Sequence, residues 1–109
     1  MAGLDTNYNP LIDETEEGFI TRLKKVLETQ TGYSFSELQK RNRTQKKVFA
    51  RYIYLYMVKA RTQQTLKEIG SEFGFDHTSV LHGINQVNNA IKTEYDPIKS
   101  LLLRVQNSL

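Results

Sequence analysis

A chain of 109 residues, with 39% hydrophobic and 25% charged residues and no proline- or glycine-rich tract, has the size and composition of one small folded domain. It has no cysteine, which excludes disulfides and Cys-based zinc or iron–sulfur sites, and no apolar run approaching the ~20 residues of a membrane-spanning helix. The net charge of +3 is unevenly spread: residues 1–18 carry −5, residues 19–67 carry +10 and residues 68–109 carry −2.

The first 18 residues, MAGLDTNYNPLIDETEEG, hold five acids and no base, show no sustained period, and read as a mobile acidic tail. They lack the positive stretch and apolar core of a signal peptide, so a cytoplasmic location is expected. A helical period begins at Phe19, with Ile20, Leu23, Val26 and Leu27 following on one face, and Gly32 is placed to close that helix. Ser34-Phe35-Ser36-Glu37 is a capping-box pattern for a short second helix carrying Leu38.

Next comes KRNRTQKKVFAR (Lys40 to Arg51), with six bases and no acid. Such a stripe is the footprint of a polyanion binder, although a solvated lysine-rich helix face has the same composition. It leads into a long helix. There Val48, Phe49, Tyr52, Ile53, Tyr56, Met57 and Ala60 form a stripe expected to face a core, with Lys47, Arg51, Tyr54 and Val58 on another face.

Thr65-Leu66-Lys67-Glu68 is a second capping box, opening a helix of about two turns through Ile69 and Phe73 that Gly74 stops. Asp76 is a natural N-cap for the next helix, whose buried stripe is expected to hold Val80, Leu81, Ile84, Val87 and Ile91. Asp96-Pro97 reads as the cap and first-turn proline of a last helix burying Ile98, Leu101, Leu102 and Val105. Strand-like alternation is missing, so the fold class is all-α.

The stretch GFDHTSVLHG (Gly74 to Gly83) carries both histidines of the chain. Five residues apart, His77 and His82 diverge by about 140° on a helix. Zinc pairs on helices use a spacing of four and need a third ligand, and none is evident. Asp76, His77 and Ser79 are neighbours at a helix start, which is not the geometry of a catalytic triad. With no GxxxxGK[ST] loop there is no nucleotide site. No enzyme, metal or cofactor is expected.

Two helices around a glycine-containing turn form a helix-turn-helix. Its first helix spans about Leu66 to Phe73, its turn is Gly74-Phe75, and its second helix runs from His77 to about Glu94. The first residues of such a second helix meet base edges in the DNA major groove, which places His77, Thr78 and Ser79 there. His82 and Asn85 extend the polar side. His82 is either a packing histidine between helices or a further contact.

At these residues a family resemblance enters. LKEIGSEFGFDHTSVLHGI (Leu66 to Ile84) resembles the signature of the C-terminal DNA-binding domain of DnaA, the bacterial replication initiator. LQKRNRTQKKVFARYIYLYMVKA (Leu38 to Ala60) is similar to that family's basic loop and long helix, and the likeness extends over about residues 19–105. It implies an all-α domain over 19–109 that binds double-stranded DNA at DnaA-box-like sites, in replication initiation or its regulation, without ATPase activity. By the same resemblance Asp76, His77, Thr78 and Ser79 read bases in the major groove, and Leu81 touches a thymine methyl. Arg41 or Arg43 enters the minor groove, Arg51 meets a phosphate with Lys47 assisting, and Lys67 stands at a position that often meets the DNA.

The chain also departs from the family pattern. The turn GFDHT is one residue shorter than usual, with Phe75 where a basic residue is common, and Tyr52 replaces a polar residue. Expected partners are duplex DNA and replication proteins, with no membrane and no nucleotide. The chain is expected to be a monomer and nucleoid-associated. The alternative is a helical protein-interaction adaptor or a transcriptional regulator using the same domain.

Overall fold

The computed structural model describes residues 14–40 and 44–109, and these form six helices and no strand. They are α1 (Glu16–Thr31), α2 (Phe35–Leu38), α3 (Gln45–Arg61), α4 (Leu66–Ser71), α5 (His77–Thr93) and α6 (Asp96–Ser108). The all-α expectation holds. Among the described residues no helix is long and apolar enough to cross a membrane.

Helix boundaries follow from local chemistry. The Ser34 and Thr65 capping boxes both form: each hydroxyl accepts the backbone N–H of the third helical residue, whose Glu carboxylate accepts the cap's own N–H. Gly32 closes α1 at φ 81°, donating its N–H to the Glu28 carbonyl. The start of α1 differs from expectation. The helix begins at Glu16, three residues before the apolar period, because Thr15 caps it by accepting the Gly18 N–H at 2.9 Å.

Glu14 is held as well. The Arg22 guanidinium donates to both of its carboxylate oxygens, at 2.9 and 2.7 Å, and to the Leu109 carbonyl. Residues 14–18, expected in the acidic tail, therefore belong to the folded part. Residues 1–13 lie outside the described residues.

Two later boundaries also shift. The α4 helix ends at Ser71, and Tyr95 takes the cap position of α6, leaving Asp96 as its first residue. There the carboxylate complements the positive end of the helix dipole.

The larger correction concerns α3, which packs against every other helix. The face expected to lie apart from the core is deeply buried: Tyr54 and Val58 are sealed, and Lys47 and Arg51 are almost covered. Phe49, Tyr52 and Tyr56, expected in the core stripe, are only half-buried, and Ala60 is exposed. The cause is an aromatic cap over the second face. Phe35 from α2 lies 4.8 Å from Tyr54, and Phe73 lies 5.3 Å from Phe35 and 5.5 Å from Tyr54. A helix covered on all sides needs apolar surface all round. Burial, reinforced by the Glu72 charge, pushes the Tyr54 phenol above its usual range.

Candidate nucleic-acid interface

The candidate site is built on the α4–turn–α5 unit. The turn closes by a Schellman pattern: the Gly74 N–H donates to the Ser71 carbonyl at 3.4 Å and the Phe75 N–H to the Gly70 carbonyl at 2.9 Å, with Gly74 at φ 71°. Gly70 sits where the two helices meet. A Cβ there would lie 2.6 Å from the Phe75 carbonyl oxygen and 2.8 Å from Val80 Cγ2. The close approach of α4 to α5 requires its missing side chain.

Phe75 replaces the expected base without opening a gap. Its ring is half-buried and packs 5.4 Å from Phe73, continuing the aromatic cluster. The turn is anchored by stacking.

Asp76 caps α5, its carboxylate accepting the Ser79 N–H at 2.9 Å. The hydrogen bonds from Ser79 hold its carboxyl below the usual range, so it is an ionised acceptor at neutral pH. The cap leaves His77, Thr78 and Ser79 exposed together on the first turn of the helix. Val80, Gly83, Val87 and Ala90 turn inward.

Leu81 and Ile91, both expected in the buried stripe, stand out at 43% and 38% exposure. The burial of Gly83 and Ala90 rotates the inward face of α5 away from both positions. An exposed leucine beside three polar groups gives this face an apolar contact point.

The long helix supplies the other wall. A Cβ on Gly83 would lie 2.7 Å from Leu55 Cδ1 and 2.9 Å from Tyr52 Cδ1, so α5 lies hard against α3. Between them is a groove of about 680 Å³ lined by Val48, Arg51, Tyr52, Phe75, Thr78, Ser79 and His82. His82 is exposed, and its ring packs edge-on against Tyr52 between the two helices.

The structure thus brings Asp76, His77, Thr78, Ser79 and Leu81 to one end of α5. Lys67 is exposed in the first turn of α4. Arg51 lines the groove but points its guanidinium inward, donating from Nε to the Leu38 carbonyl at 2.5 Å and from Nη2 to the Lys40 carbonyl at 2.7 Å. Burial lowers its pKa from the ordinary arginine range. Lys47 Nζ lies 4.9 Å over the Tyr33 ring. Arg41 and Arg43 lie outside the described residues. Among those described, no group of three or more His, Asp or Glu side chains is placed to hold a metal ion.

The pairing of Tyr52 with His82, and the apolar groove floor of Val48 and Phe75, escaped the sequence reading. The only signal was an aromatic residue in α3 where the family has a polar one.

A family model described as the bacterial DnaA protein helix-turn-helix matches residues 20–87. The chain belongs to that family. DnaA initiator proteins are among its relatives: that of Streptococcus mutans is 33% identical over 79 residues, which is 72% of this chain and 17% of the relative. That of Thermoanaerobacter sp. strain X514 is 36% identical over 58 residues, 53% of this chain and 13% of the relative. That of Latilactobacillus sakei is 28% identical over 91 residues, 83% of this chain and 20% of the relative. The chain therefore spans a fifth or less of the length of these DnaA proteins. No solved structure matches it. The matched span takes in α2, α3, α4 and most of α1 and α5, so the groove between α3 and α5 belongs wholly to the DnaA helix-turn-helix.

Proposed function

We propose that this DnaA-type domain binds duplex DNA sequence-specifically at DnaA-box-like sites, in replication initiation or its regulation, and supplies binding without ATP chemistry. The observation that carries the reading is the common exposure of His77, Thr78, Ser79 and Leu81 at the capped start of α5. Their hydroxyls and imidazole are suited to base edges in the major groove, and Leu81 to a thymine methyl. The remaining lone pairs of ionised Asp76 accept from the exocyclic amino group of cytosine or adenine. The positive end of the α5 helix dipole and the Lys67 ammonium favour flanking phosphates. Arg41 or Arg43 is assigned to the minor groove.

Fluorescence anisotropy on a DnaA-box duplex and a scrambled duplex of equal composition, at near-physiological salt, tests the reading. A preference for the box that His77→Ala erases, at a cost of roughly 1–3 kcal/mol on the box and less on the scrambled duplex, supports it. Equal binding to both duplexes rejects box recognition. Binding to neither transfers the same surface to a protein-docking role.

A further inference from the structure

The groove between α3 and α5 continues past the start of the reading helix. Thr78, His82, Gln86, Asn89 and Thr93 follow one another by single turns of α5, so they line one edge of that helix. Beside them runs a row of rings. The His82 centroid lies 5.9 Å from that of Tyr52, Tyr52 lies 6.5 Å from Phe49, and Phe49 lies 6.1 Å from Tyr95. The row leads from the groove at Thr78 and Ser79 to a second hollow of about 320 Å³, bordered by Phe49, Gln86, Asn89, Thr93 and Tyr95.

This hollow has its own chemistry. Tyr95 is 44% exposed and Phe49 is half-buried, so aromatic surface is open to a ligand. Among the described residues the side-chain amides of Gln86 and Asn89 have no hydrogen-bond partner. The Thr93 hydroxyl donates to the Asn89 carbonyl at 2.8 Å, which leaves its oxygen able to accept. Among the described residues no carboxylate lines the hollow. Rings with free amides beside them suit an unpaired nucleobase, whose face stacks while its edge exchanges hydrogen bonds. A base inside a duplex offers neither its face nor its pairing edge.

Charge agrees with such a ligand. Lys46 stands one turn before Phe49 on α3 and Lys92 one turn after Asn89 on α5, both exposed. The acids that flank Tyr95 are Asp96, in the first turn of α6, and Glu94, which pairs with Lys99 at 3.0 Å.

We propose that the Phe49–Tyr95 end of this groove binds single-stranded DNA, taking an unpaired base against the rings and the amides of Gln86 and Asn89. The site lies about 20 Å along α5 from Thr78 and uses none of the side chains assigned to the box. A strand unpaired beside a bound duplex can follow the groove on the same domain.

Anisotropy of a short labelled oligo(dT) on the full chain, from low to near-physiological salt, tests the proposal, with circular dichroism melts to confirm folding of each variant. The wild type is expected to bind, with affinity that falls as salt rises. Tyr95→Phe keeps the ring and should keep the affinity. Tyr95→Leu keeps the charge and most of the apolar bulk but loses the stacking face, and should weaken binding at least about fivefold, the loss of one stacked base. Asn89→Asp, a change at an exposed position, should weaken it as well by setting a like charge beside the strand.

No binding at low salt, or a Tyr95→Leu chain that binds as well as the wild type, overturns the proposal, since charge alone would then account for any retention. Where the Tyr95 variant fails to fold, proton NMR of the wild type serves instead. Upfield movement of the Phe49 and Tyr95 ring resonances on adding oligo(dT) supports stacking, and unmoved rings refute it. The oligomer contains no duplex, so this site and box recognition stand or fall separately.

Discussion

Tyr52 and His82 meet edge to face, with ring centroids 5.9 Å apart and planes inclined at 78°. The contact joins the middle of α3 to the second turn of α5 while leaving the imidazole open to solvent. Tyr52 also borders Gly83, so one side chain sets both how close the two helices lie and how His82 is turned. Tyr52→Phe should keep stability within about 0.5 kcal/mol, because the ring does the packing. Tyr52→Ala should cost about 1–3 kcal/mol and weaken box binding together with stability. Thermal melts and anisotropy on the same samples read both.

Gly70→Ala should be among the most damaging single changes to the candidate site. The added methyl would press on the backbone carbonyl of Phe75, at 2.6 Å, which cannot swing aside as a side-chain tip would. A loss of about 1–3 kcal/mol is expected, as for overpacking elsewhere. Box affinity should fall further than stability alone explains, because the turn that sets the start of α5 must move. Stability by urea titration, compared with affinity under conditions where the variant is folded, separates the two effects.

Acid should unfold the protein partly through its helix caps. Asp76 is held below its ordinary value of 3.8 by the Ser79 hydrogen bonds, and Glu68 below 4.5 by those of Thr65. A carboxyl whose folded pKa is depressed adds stability that is complete above the unfolded value and is lost as pH falls through the folded one. Stability should therefore decline from about pH 4.5 downward. Asp76→Asn keeps a capping oxygen but has no charge to lose. Its melting temperature should fall less steeply over that acid window than that of the wild type, and an identical slope would rule out the Asp76 contribution.

Glu94 offers a gain in stability. It ends α5 in the left-handed region at φ 55°, the only described non-glycine residue with positive φ. Its carboxylate pairs with Lys99 at 3.0 Å, but at 77% exposure that ion pair contributes little. Glu94→Gly should stabilise the domain by about 0.5–1 kcal/mol, since glycine takes this conformation without steric cost. A rise in melting temperature with unchanged box affinity is the expected result.

Much of this fold is legible in the residues themselves. Ser34, Thr65 and Asp76 announce helix starts because capping is local chemistry, and the helix-turn-helix follows from Gly74 between two capped helices. The burial of α3 is less legible. Its sequence carries apolar residues on nearly every face, and only the arrival of Phe35 and Phe73 decides that Tyr54 is sealed while Tyr52 is half open. Periodicity sets Lys47 and Arg51 on a face apart from the core stripe, yet both are almost covered. Their partners include two backbone carbonyls and a ring more than ten residues away in the chain, and sequence periodicity carries no trace of such partners. Thr15 marks the true start of α1, which the apolar period misses because it reports where the core begins.

The fixed seating of α5 has a consequence for any duplex that docks on it. The helix packs closely against α4 at Gly70 and against α3 at Gly83, so following a groove of the wrong width would require these contacts to shift. The accommodation then falls on the nucleic acid, and its cost depends on how readily each base step twists or opens. Two sites offering identical contacts to His77, Thr78 and Leu81 would differ in affinity through base pairs that no side chain touches. Under the proposed function, such a seating would make the mechanics of the DNA part of what the domain distinguishes.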